Sequence, residues 1–183
     1  MRLVEIIDVE KVLAEIVPVN TRVSDALLED PLLQRARGRE VLVVDDSPIG
    51  VNQVRDTLAQ LDLQLHVATD GLKALRMLQG WADAGEDLSE RLLMVITDAE
   101  MPEMDGFALA ERIQQIPQRA GAIIMMHASG AFPRLSERCR ELGIVAHLLK
   151  PIIESELLRA ILTATGYHKD QVPTQESTLG EEV

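Results

Sequence analysis

Between Arg39 and Gly166 the chain alternates short apolar runs with stretches in which apolar residues recur every three or four positions. The runs are "VLVV" (Val41–Val44), "QLHVA" (Gln64–Ala68), "LLMVIT" (Leu92–Thr97), "AIIMM" (Ala122–Met126) and "IVAHLL" (Ile144–Leu149). All but the second are nearly continuous in apolar character, as strands covered on both faces must be. The intervening spacing predicts helices carrying Val51, Val54, Leu58 and Leu61; Leu72, Leu75 and Leu78; Leu109, Ile113 and Ile116; Leu135, Cys139 and Leu142. A last helix carries Leu157, Leu158, Ile161 and Leu162. Strands alternating with helices predict an α/β fold, a doubly wound sheet of five parallel strands.

Helix starts agree with this division. Ser47 is placed to cap a helix whose first residue is Pro48, where the missing N–H costs nothing, and Asp70-Gly71 opens the next helix similarly. "GWADAGEDLSER" (Gly80–Arg91) is longer and more polar than a tight crossover needs, so it reads as a surface loop or frayed extension, with Trp81 lying over apolar surface. Before the alternating region, Leu3–Ile16 predicts a short strand, an Asp8 cap and a helix with Val9, Val12, Leu13 and Ile16 on one face. Residues 18–38 read as a linker with a helical turn around "SDALLED", and 167–183, without apolar periodicity, as a disordered acidic tail.

A chain of 183 residues with 46% apolar content can bury a substantial core. Acids outnumber bases thirty to eighteen, giving a net charge of -12, so nucleic acid is repelled and protein partners are favoured. Aromatics at 2% also leave no base-stacking platform. No apolar run has the length of a membrane span and no signal peptide is visible, which together predict no membrane insertion and a cytoplasmic location. The single cysteine, Cys139, excludes an internal disulfide framework and reads as a small buried hydrophobe.

The chemistry begins where the first strand runs into Asp45-Asp46. Two ionised carboxylates repel by about 4 kcal/mol at roughly 4 Å and an effective dielectric near 20, so the pair either faces water or shares a cation. In an open parallel sheet, ligands lie beyond the carboxyl ends of the strands near a topological switch point. Asp45 and Asp46 follow the first strand, Asp98 ends the third in "VITDAEMP", and Lys150 ends the fifth in "HLLKP". Three carboxylates suit a hard divalent cation such as Mg2+, and the lysine suits an anion such as a phosphoryl group. Asp98 can then attack phosphorus to form an acyl phosphate.

On the motifs "VLVVDDSP", "DAEMPEMDG" and "LLKP", residues 39–166 resemble the receiver domain of bacterial response regulators. The resemblance implies a flavodoxin-like (CheY-like) sheet of order 2-1-3-4-5. It implies that Asp98 is the phosphoacceptor, that Asp46, Asp98 and the Glu100 backbone carbonyl ligate Mg2+, and that Asp45 orients the metal's waters. It further implies that Lys150 contacts the phosphoryl group, that Lys150-Pro151 is cis, and that Asp105-Gly106 opens the third helix. Receivers place a serine or threonine at the end of the fourth strand. In "IIMMHASG" the apolar run makes this position His127, spacing from Asp98 and Lys150 favours Ala128, and Ser129 is the nearby hydroxyl. His147 occupies the place of a switching aromatic three residues before the lysine.

"LVEIIDVEKVLAEI" is similar to the last strand and helix of a CheW-like coupling domain, making residues 1–17 a remnant of that domain and the chain similar to CheV-type chemotaxis coupling proteins. That implies phosphorylation by a CheA-like histidine kinase, an association with chemoreceptor complexes, and no enzymatic role beyond self-phosphorylation and self-dephosphorylation. The missing hydroxyl leaves a second reading, a pseudo-receiver that acts as a protein-interaction module without being phosphorylated. A magnesium phosphohydrolase is disfavoured, because neither a D-x-D strand end nor a cap is visible.

Overall fold

The computed structural model describes residues 29–116, 121–128 and 132–166. In chain order they form α1 (Pro31–Ala36), β1 (Glu40–Val44), α2 (Pro48–Gln60), β2 (Gln64–Ala68), α3 (Gly71–Asp83), α4 (Leu88–Arg91) and β3 (Leu92–Asp98). They continue through α5 (Gly106–Gln114), β4 (Ala122–His127), α6 (Phe132–Glu141), β5 (Ile144–Leu149) and α7 (Glu154–Thr165). The five strands pair in parallel in the order β2-β1-β3-β4-β5. The order reverses between β1 and β3, so the crevice expected of a doubly wound sheet lies where these two strands end.

Side-chain alternation sorts the strands into two cores. Val41, Val43, Met94, Ile96, Ile124 and Met126 point to one face, where α2 and α7 cover them with Val54, Leu58, Leu157 and Ile161. Leu42, Val44, Val95, Ile123 and Met125 point to the other, against Leu75 and Leu78 of α3, Leu109 and Ile113 of α5, and Cys139 of α6. The strands read as continuous apolar runs because both parities are buried. β2, at the sheet edge, is mostly half-buried, which accounts for its mixed sequence. Cys139 is buried as anticipated, and burial pushes its thiol up from the ordinary value.

Two segments differ from the sequence reading. The linker assigned to residues 18–38 contains α1, with Asp30 accepting the Leu32 N–H at 2.8 Å and Pro31 in the first turn. Leu33 and Ala36 are 3% and 2% exposed and join the core beneath α2 and α7, so this part of the chain is structural. The helical turn expected around "SDALLED" precedes α1, and all of it before Glu29 lies outside the described residues, as do the coupling-domain remnant and the acidic tail. The second difference is in Gly80–Arg91. α3 continues to Asp83, and α4, capped by Asp87 through the Ser89 N–H, drives Leu88 into complete burial.

Trp81 does lie over apolar surface, and the Arg91 guanidinium covers its ring at 4.2 Å while the His66 ring meets its edge at 5.1 Å. Arg91 also bonds Glu40 at 2.6 Å and pairs with Glu86, and His66 bonds the same Glu40 oxygen at 2.9 Å. Arg39 adds bonds to the Ser89, Glu90 and Leu92 carbonyls. These contacts hold the α3–β3 connection against the amino-terminal edge of the sheet, and the apparent loop is ordered by charge as much as by Leu88.

Leu33→Ala is expected to lower unfolding free energy by about 2–4 kcal/mol, the usual cost of emptying a buried leucine site, measured by urea denaturation. A change below about 0.5 kcal/mol would place α1 outside the cooperative core. Burial alone would raise the Glu40 pKa, but Arg91 and His66 reverse this and hold it below the ordinary glutamate value. Its ionised form is therefore favoured by folding, a contribution present above the unfolded pKa near 4.5 and lost as pH falls through the lower folded value. Glu40→Gln is expected to reduce stability at neutral pH and to flatten the acid limb of the stability curve.

Candidate functional site

The carboxyl ends of β1, β3 and β5 deliver the predicted charged residues to one place. Hydrogen bonding continues past the strand ends: the Asp45 N–H donates to Ala68, the Ala99 N–H to Met126, and the Lys150 N–H to His127, at 3.1, 2.7 and 2.8 Å. Asp45 is 1% exposed and Asp98 6%, whereas Asp46 faces solvent. The Lys150 ammonium lies between the two buried acids, 2.9 Å from Asp45 Oδ2 and 2.6 Å from Asp98 Oδ2. Burial alone would lower the lysine's pKa, but the hydrogen bonds and charges of Asp98 and Asp45 raise it above its ordinary value.

The remaining carboxylate oxygens are also held. Asp45 Oδ1 accepts the Ser47 N–H at 2.8 Å and Asp98 Oδ1 accepts the Glu100 N–H at 3.2 Å. Ser47 is the cap residue of α2, but its side chain makes no capping bond; its backbone orients Asp45 instead. Asp105 does cap α5, accepting the Ala108 N–H at 2.7 Å, and the Lys150-Pro151 bond is cis.

Two glycines let the helices approach this closely. A Cβ at Gly50 would lie 2.3 Å from Asp45 Oδ2, and one at Gly106 would lie 2.1 Å from the Asp98 carbonyl. Gly106 was legible from its Asp-Gly context. Gly50 was missed, and its signal was a glycine inside a helix, where alanine is favoured by about 1 kcal/mol.

One carboxylate oxygen each from Asp45, Asp46 and Asp98 lies within 4.8 Å of the other two. Three carboxylates against one ammonium leave two negative charges, and all three acids offer hard oxygen donors, so the residues fit a divalent cation. Of the residues assigned to switching, His127, Ala128 and His147 lie on or just after β4 and β5. β4 ends on His127, which is 3% exposed, its Nδ1 3.1 Å from the Ala128 carbonyl. Ala128 follows, exposed, and together they border a cleft with Ala99, Glu100, Pro102 and Phe107. His147 on β5 is half-buried, its ring centroid 5.5 Å from that of His127. Burial, and to a lesser degree the neighbouring His127, pushes its pKa down. Ser129 lies outside the described residues.

Comparison with known proteins finds a match to the response regulator receiver domain over residues 41–162. The chemotaxis protein CheV3 of Helicobacter pylori is 32% identical over 146 residues, 79% of this chain and 46% of that protein. The sensor histidine kinase RcsC of Escherichia coli K12 is 33% identical over 61% of this chain but 11% of its own length. The matches thus span less than half of either relative. Among solved structures, Vibrio cholerae chemotaxis protein CheY4 is 27% identical with a TM-score of 0.55, covering 69% of this chain and 98% of that one. A receiver domain from an HD-domain protein of Pseudomonas fluorescens Pf-5 is 31% identical with a TM-score of 0.56, covering 70% and 94%. Among the described residues, no helix is long and apolar enough to cross a membrane.

Gly50→Ala should destabilise the protein, reversing the gain of about 1 kcal/mol that helix propensity alone would give, because Asp45 must move to admit the methyl group. Asp46→Asn, at an exposed position, is expected to change stability without metal by less than about 0.5 kcal/mol. It should nevertheless remove most of the rise in melting temperature that millimolar Mg2+ gives the unsubstituted chain. An unchanged Mg2+ response in Asp46→Asn would refute its assignment as a ligand.

Proposed function

Because the chain belongs to the response regulator receiver family, a signalling family that takes its phosphoryl groups from histidine kinases, we propose that it is phosphorylated on Asp98 by a CheA-like kinase. The setting is a CheV-like chemotaxis coupling protein. The observation that carries the phosphoacceptor assignment is the Lys150 ammonium held 2.6 Å from a buried Asp98, beside Asp45 and Asp46. A lysine so placed pairs with the Asp98 carboxylate and offers a positive partner to whatever charge is transferred there.

In this reading an Asp98 oxygen attacks the phosphorus of a kinase phosphohistidine. The oxygen–phosphorus bond forms as the phosphorus–nitrogen bond breaks, and the electron pair stays with the departing imidazole. Lys150 balances part of the charge brought to Asp98, Asp45 keeps the lysine in place, and the Glu100 N–H fixes the orientation of the carboxylate. Asp46, Asp98 and the Glu100 carbonyl would hold Mg2+, with Asp45 acting through its waters. When bound, the cation supplies neutralisation of the phosphoryl oxygens.

Two findings support the chemotaxis setting. The likeness to CheV3 runs over 146 residues, longer than the 41–162 receiver match, so it includes sequence outside the receiver. CheY4, a chemotaxis protein, shares the fold at 27% identity. The net charge of -12 argues against DNA as the output, which favours regulation of kinase coupling within a chemoreceptor complex.

Incubation with Mg2+ and acetyl phosphate should add one phosphoryl group, mapped to Asp98 and absent from Asp98→Asn, as read by intact-mass and peptide analysis. A chain that stays unmodified while a control receiver is labelled would overturn the phosphoacceptor assignment. For the kinase class, transfer from a phosphorylated CheA-type domain is expected to be at least tenfold faster than from an RcsC-type donor. The reverse preference would refute the chemotaxis setting while leaving Asp98 as acceptor.

A further inference from the structure

Thr97, the residue before Asp98, stands in an apolar row. Strand pairing sets it between Val44 of β1 and Met125 of β4, and all three are fully buried on the face covered by α3 and α5. Packing gives no reason for a hydroxyl there, since valine has the same shape and no polar atom to bury. Among the described residues the hydroxyl has one acceptor, the main-chain carbonyl of Asp98, at 3.0 Å. The branched Cβ of threonine restricts χ1, so a hydroxyl buried in this way is held in one direction.

That carbonyl belongs to the peptide plane that follows the Asp98 Cα, and the plane is fixed at both ends. Its oxygen takes the Thr97 hydroxyl, and α5 starts so close to it that a Cβ on Gly106 would lie 2.1 Å away. Its N–H, on Ala99, donates to the Met126 carbonyl at 2.7 Å. The next N–H, that of Glu100, reaches back to Asp98 Oδ1 at 3.2 Å. This last bond spans two residues, so it closes only while the Asp98–Ala99 plane keeps its tilt. Without the hydroxyl a buried carbonyl is short of a donor, and a plane that turns to recover one carries the Glu100 N–H away from Oδ1.

Resting on the assignment of Asp98 as phosphoacceptor, we propose that Thr97 is a positioning residue: its hydroxyl holds the Asp98–Ala99 peptide so that the Glu100 N–H stays on Asp98 Oδ1. Lys150, 2.6 Å from Oδ2, would alone leave the carboxylate free to pivot about that oxygen. With both oxygens held, the carboxylate has a single orientation, the condition for a nucleophile to meet phosphorus without first reorganising. The same peptide leads to Glu100, whose carbonyl is the proposed main-chain ligand of the cation, so Thr97 acts on that oxygen as well.

The test compares Thr97→Val, which keeps the shape and removes the hydroxyl, with Thr97→Ser, which restores it, in the full chain. Without Mg2+ or a phosphoryl donor, hydrogen exchange at the Glu100 amide is expected to be about tenfold faster in Thr97→Val and to return to within about threefold in Thr97→Ser. With Mg2+ and acetyl phosphate, labelling of Asp98 is expected to slow about tenfold in Thr97→Val, the size of one hydrogen bond expressed in a rate, and to be rescued by Thr97→Ser. Thr97→Ala, which also lacks the hydroxyl, takes the place of the valine variant if that one does not fold. An unchanged Glu100 amide or an unchanged labelling rate without the hydroxyl, or a serine variant as impaired as the valine one, would overturn this proposal and leave Asp98 as acceptor. Absence of label on the unsubstituted chain while a control receiver is labelled would overturn the phosphoacceptor assignment and this proposal with it.

Discussion

One ammonium group between two buried carboxylates holds the carboxyl edge of the sheet together. Asp45 and Asp98 are both nearly inaccessible, and without a cation between them their repulsion and desolvation would cost several kcal/mol. Lys150 reaches both from the far side of β4, at 2.9 and 2.6 Å. That reach exists only because the parallel register brings β1, β3 and β5 to the same level, and because the main-chain bonds from Ala99 to Met126 and from Lys150 to His127 extend the pairing beyond the strands. Gly50 and Gly106 belong to the same constraint, since each lets a helix start against an acid or its carbonyl.

The core on the α2 and α7 face requires more chain than the receiver match covers. Residues 41–162 carry the motifs, yet Leu33 and Ala36 complete that face from before β1, and Ala164 closes it from beyond residue 162. Leu32 comes within 3.5 Å of where a Cβ on Gly166 would stand, so the two ends of the described chain meet at the amino-terminal side of the sheet. α1 therefore joins the core at the side of the sheet opposite Asp98.

The strands were legible because a sheet buried on both faces leaves almost no polar residue in its sequence, and the helices because one face of each must be apolar. The acids and Lys150 were legible because they stand where those apolar runs end. α1 was not, because six residues give little more than one turn of periodicity, and "PLLQRA" after a proline-containing mixed stretch looks like any connector. α4 was hidden for a related reason: its single buried residue, Leu88, sits among charges whose partners, Glu40 and Arg39, are some fifty positions away. The two candidates for the end of β4 differed by one residue, within the ordinary imprecision of a strand boundary. The pairing of His127 with Leu149 ends the strand at His127.

The charge of the whole chain and the charge of the site act on different scales. A net charge of -12 would seem to oppose the arrival of a phosphoryl group, which carries about two negative charges at neutral pH. At physiological ionic strength, however, exposed charges more than about 8 Å away are largely screened, so the immediate surroundings of Asp98 decide. There, three carboxylates and one ammonium leave two negative charges, and a phosphoryl group replacing one carboxylate charge would deepen the excess. In the proposed reaction the cluster would need a divalent cation among its oxygens to carry that load, and an exposed Asp46 beside two buried acids fits that need. Asp45 and Asp98 are satisfied by Lys150 and backbone N–H groups on their own, whereas Asp46 faces solvent, where the proposed cation would reach it.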